Sequence, residues 1–124
     1  MLDKPIWENI VIVRSMGMSR DGQLLRIGSL KGRAAELIAR LGIRTPSGEL
    51  RAGQLSGGNQ QKVVLAKWLD TKPTTLILDD PTRGVDIGAR VEIHGLLRTV
   101  ADQGGVVLLR STDLEELASA CDRV

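Results

Sequence analysis

The sequence predicts an α/β fold in which helices come first and parallel strands alternate with helices afterwards. An amphipathic stripe occupies residues 26–41, and two short, continuous apolar runs follow, Leu76-Ile77-Leu78 and Val106-Val107-Leu108-Leu109. A helical pattern separates the two runs. Runs of that length fit strands buried on both faces of a parallel sheet, and the strand–helix–strand–helix order argues for a right-handed crossover.

Taken in order, a short helix is expected around Ile6–Arg14. The next spans 26–41, where Ile27, Leu30, Ala34, Leu37, Ile38 and Leu41 recur at three- and four-residue spacing. Gly42 is its stop signal and Thr45-Pro46-Ser47-Gly48 reads as a loop. Leu55-Ser56-Gly57-Gly58-Asn59 is a glycine-containing turn leading into a helix from about Gln60 to Leu69. A strand follows over Thr74–Asp79, and Pro81 and Gly84 then break the chain. Ala89, Ile93, Leu96, Leu97 and Val100 mark a helix, Gly104-Gly105 turns into the second apolar run, and a last helix lies near Leu114–Ala120. No repeat or low-complexity segment interrupts this order.

Composition removes several function classes. The 124 residues suffice for one modest domain rather than two independent ones. Hydrophobic residues at 42% and charged residues at 26% are globular proportions, so disorder is not favoured. No apolar run approaches the roughly 20 residues of a bilayer-crossing helix, and Met1-Leu2-Asp3-Lys4 has no signal-peptide core. A soluble, cytosolic chain is expected. The net charge of +2 is too small to drive nucleic-acid binding, and with no Phe or Tyr only Trp7 and Trp68 remain for base stacking. One cysteine, Cys121, and one histidine, His94, exclude a disulfide framework and a thiolate or multi-histidine metal site.

Two segments carry chemistry. In Ser56-Gly57-Gly58 the glycines let backbone N–H groups approach an anion, the serine adds a hydroxyl donor, and the following helix presents its positive end. Alone, such a turn is commonly only a helix start. In Leu76-Ile77-Leu78-Asp79-Asp80-Pro81 two carboxylates sit at the end of a buried parallel strand, where α/β sheets bind ligands. One carboxylate of such a pair suits Mg²⁺ and its neighbour suits a water attacking a phosphate; alone, the pair also reads as a strand end and turn cap.

Together with their flanks these segments resemble the ABC-transporter ATPase family. Leu55-Ser56-Gly57-Gly58-Asn59-Gln60-Gln61-Lys62 resembles its signature motif, Leu76–Asp80 its Walker B strand, and Pro81-Thr82-Arg83-Gly84-Val85-Asp86 its D-loop. The fine spelling is similar to the second cassette of double-cassette sugar importers, and Trp7-Glu8-Asn9-Ile10 resembles the start of that branch's helical subdomain. The resemblance implies a partial P-loop NTPase fold: an incomplete helical (signature) subdomain over 1–58, and the signature helix with the Walker B half of a mainly parallel α/β core over 59–124. It implies ATP and Mg²⁺ as cofactors. Ser56, Gly57, Gly58, Asn59 and Gln60 would face a nucleotide held by a second ATPase cassette. Asp79 would hold Mg²⁺, Asp80 would orient water, Thr112 would stand at the switch position, and Asp86 would lie at the cassette–cassette seam. Transmembrane permease subunits and, indirectly, a sugar-binding protein are the implied partners, with no nucleic acid. The implied location is cytoplasmic, peripheral on the inner face of the cell membrane.

The sequence departs from the family pattern in three places. No GxxxxGK[ST] loop occurs, since Lys4, Lys31, Lys62, Lys67 and Lys72 all lack a following Ser or Thr. The family's Walker A strand would lie before Met1 and a further strand after Val124, so the isolated chain is expected not to bind ATP tightly. Asp80 stands where the family usually has a glutamate, and a misplacement of about 1 Å costs roughly 10²-fold in rate. Thr112 stands where most members carry a histidine, and threonine cannot become cationic. A non-catalytic cassette that completes a partner's ATP site is therefore the first rival reading. A DNA-repair or chromosome-type ATPase head is the second, and it expects heptad arms or a basic face that this chain does not show.

The other conspicuous residues read as structural. His94 is expected as a packed or surface histidine, Cys121 as a small filler, and Trp68 as core. Trp7 divides between core and a permease-docking groove. Arg33, Arg40, Arg44 and Arg51 read as a solvated face.

Overall fold

A computed structural model describes residues 1–20 and 26–124. Its elements are α1 (Ile6–Arg20), α2 (Ile27–Arg40), a single 3-10 turn (Ala52–Gln54), α3 (Gly57–Leu69), β1 (Thr75–Asp79), α4 (Ile87–Asp102), β2 (Val106–Arg110) and α5 (Leu114–Ala120). They form two compact units, Met1–Lys72 and Pro73–Val124, so that α3 is grouped with the helices before it.

The first unit is a helical cluster. α1, α2 and α3 bring Ile6, Ile10, Val11, Ala34, Leu37, Val63, Leu65, Ala66 and Leu69 out of water, and Leu41, Ile43 and Ala52 seal the connecting segments. α2 follows the predicted three- and four-residue spacing from Leu30 on, with Ala34, Leu37 and Leu41 buried and Leu30 and Ile38 half-buried, whereas Ile27 at its start is 61% exposed, contrary to its expected place in the stripe. α1 runs to Arg20, well beyond the expected end at Arg14, and it passes through Gly17. A glycine in a helix costs only about 1 kcal/mol, less than the packing of Ile6, Ile10 and Val11 supplies. The amino-terminal segment is pinned beside the 3-10 turn. Ala52 N–H donates to Lys4 O at 3.0 Å and Gly53 N–H to Leu2 O at 2.8 Å. A Cβ at Gly53 would stand 3.0 Å from that same Leu2 oxygen, which explains a glycine there.

Several sequence expectations are corrected in this unit. Trp68 is not core: it is 47% exposed on α3, beside the also exposed Val64 one turn before it. The helix packs through the stripe of Lys62, Val63, Leu65, Ala66 and Leu69, which turns Trp68 outward. Arg33 is not solvated either, because its Nε pairs with the carboxylate of Asp70, which is fully buried at the C-cap of α3. Arg14 Nη1 also donates to the Asp70 carbonyl, at 3.4 Å. Arg40, Arg44 and Arg51 are exposed, as the solvated-face reading expects.

The second unit holds a two-stranded parallel sheet. β1 and β2 pair in register Thr75↔Val106, Leu76↔Val107, Ile77↔Leu108, Leu78↔Leu109 and Asp79↔Arg110. Both strands lie at their expected places, and the crossover is α4. The expectation of burial on both faces is corrected. Burial alternates along each strand, with Ile77 at 75% and Leu108 at 54% exposure on one face and Leu76 buried on the other. Alternation of that kind belongs to a sheet covered on one side. α4 covers that side through Ile93 and Leu97. Among the described residues no helix is long and apolar enough to cross a membrane.

Candidate functional site

In the helical unit the site is the start of α3. Ser56 is the N-cap residue, with extended φ −61° and ψ 156°, and the helix begins directly at Gly57. Gly57 and Gly58 are therefore the first turn of the helix rather than a turn ahead of one that starts near Gln60. The Ser56 hydroxyl caps no backbone N–H; it accepts from Asn59 Nδ2 at 2.9 Å. Asn59 in turn receives Arg44 N–H on its Oδ1 at 2.8 Å, and Gln60 Nε2 donates to Leu55 O at 2.8 Å. Asn59 and Gln60 thus brace the loop on either side of Ser56. The first-turn N–H groups of a helix have no intrahelical acceptor, and with Ser56 and Gly57 exposed they face a place where an anion is stabilised.

Lys62, which closes the signature stretch and has no role assigned from the sequence, is only 3% exposed, and its Nζ donates to Gly42 O at 2.9 Å. Gly42 has φ +59°, a backbone shape that glycine adopts without strain, so the expected stop signal sits at the end of α2 as a lysine-braced left-handed turn. Trp7 is half-buried. Its Nε1 donates to Glu49 Oε2 at 3.1 Å, and Lys31 lies 5.2 Å above its ring while pairing with Glu49 at 2.6 Å. Hydrogen bonding from Lys31 is the main effect on Glu49 and, with the Trp7 hydrogen bond and the Lys31 charge, holds its carboxyl below the usual range against the opposing effect of burial.

In the α/β unit the site is the carboxyl end of β1. Asp79 is the last strand residue and its side chain is 72% exposed. Opposite it in register, Arg110 forms an ion pair with Asp79 and lies 3.8 Å from Asp80 Oδ2. The hydrogen bond it donates to Asp79, with the charges of Asp79 and Asp80 behind it, holds the Arg110 guanidinium above its ordinary range. Arg110 closes the second apolar run, and only the pairing register reveals that it faces Asp79.

Asp80 takes the left-handed φ of +44°. Such a conformation costs a non-glycine residue of order 1–3 kcal/mol and persists where surrounding bonds hold it. Here Asp80 N–H donates to Arg110 O at 2.8 Å, while Asp80 Oδ1 accepts from Thr112 N–H at 2.7 Å and from Thr112 Oγ1 at 3.3 Å. The fold thus brings Asp80 and Thr112 together from positions far apart in sequence. Asp86 is the N-cap of α4, where its Oδ1 accepts Ala89 N–H at 2.9 Å.

Behind this end lies a polar cluster. Glu116 is 4% exposed, and its Oε1 accepts from Thr82 Oγ1 and meets His94 Nε2 at 2.7 Å, while its Oε2 accepts from Ser111 at 2.5 Å. Burial pushes the Glu116 carboxyl up, but the hydrogen bonds from Ser111, Thr82 and His94 together hold it below its usual range. His94 is thereby a packed histidine, one of the two readings its sequence position allowed. Asp113 caps α5 by accepting from the N–H groups of Glu115 at 3.0 Å and Glu116 at 3.2 Å, and Arg90 pairs with it at 2.7 Å. These contacts, the Glu116 N–H first, lower its carboxyl. Cys121, at the C-cap of α5, is half-buried.

The donor sets admit particular groups. Asp79 offers hard carboxylate oxygens of the kind that suit Mg²⁺, yet among the described residues no three His, Cys, Asp or Glu side chains converge on a common point. A Mg²⁺ here would draw its other ligands from water and phosphate, as that ion commonly does. The start of α3 fits a phosphate oxygen. Nothing in the sequence forms the lysine-bearing phosphate loop that would grip a whole nucleotide.

The ABC transporter family profile matches residues 3–83. Ribose import ATP-binding protein RbsA 1 of Rhizobium johnstonii is 42% identical over 124 residues, covering 100% of this chain and 24% of that protein. RbsA of Oceanobacillus iheyensis is 42% identical over 129 residues, with 100% and 25% coverage. RbsA 2 of one Burkholderia pseudomallei strain is 46% identical over 125 residues, with 99% and 24% coverage. The chain spans about a quarter of the length of these relatives. Among solved structures, a dimeric ATP-binding cassette bound to ADP and phosphate in a post-hydrolysis state superposes with a TM-score of 0.76 at 22% identity, covering 94% of this chain and 49% of that one. The ADP conformation of an ATP-binding cassette of an ABC transporter superposes with a TM-score of 0.78 at 20% identity, covering 98% and 50%. At those identities the likeness is one of fold, and it corresponds to the partial P-loop NTPase expected from the motifs.

Proposed function

Given that this chain belongs to the ABC transporter family, we propose that it is the signature and Walker B portion of an ATP-binding subunit that drives sugar import, with a pentose such as ribose as the cargo. The observation that carries the proposal is the alignment of the whole chain with ribose import ATP-binding proteins. The local geometry supports the roles of individual residues. Ser56 and the first-turn N–H groups of Gly57 and Gly58 bind phosphate oxygens of a nucleotide held by an opposing cassette, and Asn59 and Gln60 keep that turn in shape. Asp79 is the Mg²⁺ carboxylate, Asp80 orients water, and Thr112 holds the Asp80 carboxylate in position. Asp86 fixes the start of α4 at the seam with the opposing cassette. When bound, ATP and Mg²⁺ supply the phosphoryl group and the counter-charge for its transfer. Permease subunits and a sugar-binding protein are the partners, at the cytoplasmic face of the membrane.

A second reading is favoured by one observation. Asp80 Oδ1 is already occupied by both Thr112 donors, its Oδ2 lies beside Arg110, and its side chain is one methylene shorter than glutamate. A carboxylate held this way reaches water poorly, so the subunit would complete an active partner site while its own turns over slowly. Uptake of labelled ribose by proteoliposomes containing the full-length subunit, its permease and ATP tests the main reading. Ribose uptake that Ser56→Arg abolishes is expected, whereas uptake indifferent to Ser56→Arg would remove the phosphate role from α3. Asp80→Glu in the same preparation is expected to raise turnover if the second reading holds.

A further inference from the structure

The loops carrying Asp80 and Thr112 are both anchored to a group that neither motif contains. Thr82 lies two residues after Asp80 and Ser111 one residue before Thr112, and the hydroxyls of both donate to the Glu116 carboxylate. His94, from the middle of α4, reaches the same carboxylate at 2.7 Å. Thr82 is 1% exposed and Glu116 4%, so water does not compete for these bonds. In such surroundings an acceptor left without its donors, or a hydroxyl left without its acceptor, costs far more than at a surface. Glu116 is itself held in place: its own N–H and that of Glu115 are capped by Asp113, which Arg90 fixes in turn.

We infer that Glu116 is a positioning residue, one buried carboxylate that locks the turn after Asp80, the Thr112 loop and α4 into a single register. Its functional weight rests on the roles given to Asp80 and Thr112 above; its geometry does not. The two loops also touch directly, through the Thr112 bonds to Asp80 Oδ1 and the 2.8 Å bond from Asp80 N–H to Arg110 O, and four of their amides bond within or between them. Thr112 N–H bonds to the Asp80 side chain, Asp113 N–H to Ser111 Oγ at 3.1 Å, Arg83 N–H to Asp80 O at 3.1 Å and Val85 N–H to Thr82 O at 3.3 Å. If the carboxylate lets go, these four amides lose their geometry, while the amides of β1, β2 and mid-α4 keep their own ladders.

The test is amide hydrogen exchange of the 124-residue chain without nucleotide, so that its outcome is separate from that of the transport assay. Glu116→Met conserves volume and removes both acceptors. It is expected to speed exchange at Arg83, Val85, Thr112 and Asp113 by about tenfold or more, with strand and mid-α4 amides unchanged. Glu116→Gln keeps one oxygen for Thr82 and His94, and its amide group can donate to the Ser111 hydroxyl; it is expected to restore the four amides to within about threefold of wild type. Uniform acceleration across the unit, acceleration in only one of the two loops, or a Gln variant as loose as Met overturns the inference. Should Glu116→Met not fold, Thr82→Val decides: faster exchange at Thr112 and Asp113 as well as at Arg83 and Val85 supports the shared anchor, and a change confined to 83–85 refutes it.

Discussion

The two units of this chain are held together by different physics. Of the fifteen buried hydrophobic residues described, twelve lie in the helical unit, and only Leu76, Ile93 and Leu97 lie in the α/β unit. The latter instead gathers a buried glutamate with three donors, a capped and ion-paired Asp113, and the Arg110–Asp79 pair at the strand end. Apolar contact is non-directional and tolerates small shifts, whereas hydrogen bonds fail with a few tenths of an ångström. The difference matches the tasks proposed for them. The helical unit presents one helix end to a phosphate, while the α/β unit must hold two loops in fixed register.

That contrast has breaking points of graded size. The largest effect is expected from Ile10→Ala in α1, where a fully buried side chain leaves a cavity worth about 2–5 kcal/mol. Trp7 and Trp68 are the chain's only aromatic residues and both lie in the helical unit, so tryptophan fluorescence during urea unfolding reads that unit alone. A midpoint unmoved by Ile10→Ala would show that apolar packing is not what holds it. Next comes Arg33→Ala, which strands the buried Asp70 carboxylate, whose Oδ2 has no partner even now. A loss of about 3 kcal/mol by the same fluorescence assay is expected, the low end of what breaking a buried pair costs, because Arg33 itself is partly exposed.

The α/β unit responds to acid in a direction set by Glu116. Its carboxyl titrates below the ordinary glutamate value when folded, so its contribution is fully present above the unfolded value of about 4.3 and is lost as pH falls through the lower folded one. Guanidinium unfolding followed by the His94 proton resonances, the only histidine signal of the chain, is expected to show stability falling over that acid window in wild type. Glu116→Gln is expected to lack this component, and parallel acid slopes for the two proteins would exclude Glu116 as the titrating group. The smallest effect belongs to Arg98→Ala at the exposed Arg98–Asp122 pair. Exposed pairs contribute little, so no measurable change in melting temperature is expected by calorimetry; a clear drop would mean that surface charge also holds this unit.

Much of the fold was legible in the residues. α2, β1, α4, β2 and α5 lie where periodicity and the glycine and proline breaks put them, because helix and strand patterns repeat over three, four or two residues. α3 starts three residues before the expected Gln60, because Gly57 and Gly58, weak helix formers that read as a turn, form its first turn directly after the N-cap position Ser56. Trp68 lies on what reads as the apolar side of α3, yet the helix packs through Lys62, Val63, Leu65, Ala66 and Leu69 and leaves it exposed. The motif residues Ser56, Gly57, Gly58, Asp79, Asp80 and Asp86 were visible as spelling, and their family was legible from that spelling alone.

What the sequence determined by itself, then, is the order of elements, the family, and which residue types stand at the helix start and the strand end. All of these depend on neighbours a few positions apart. Only the tertiary structure decided who partners whom: Arg33 with Asp70, 37 positions apart; Thr82 with Glu116, 34 apart; Thr112 with Asp80, 32 apart; and Arg110 with Asp79, 31 apart. A charged or hydroxyl side chain reads the same in sequence whether it faces water or a buried carboxylate. Strand register and helix packing choose between the two, and they are properties of the folded chain as a whole.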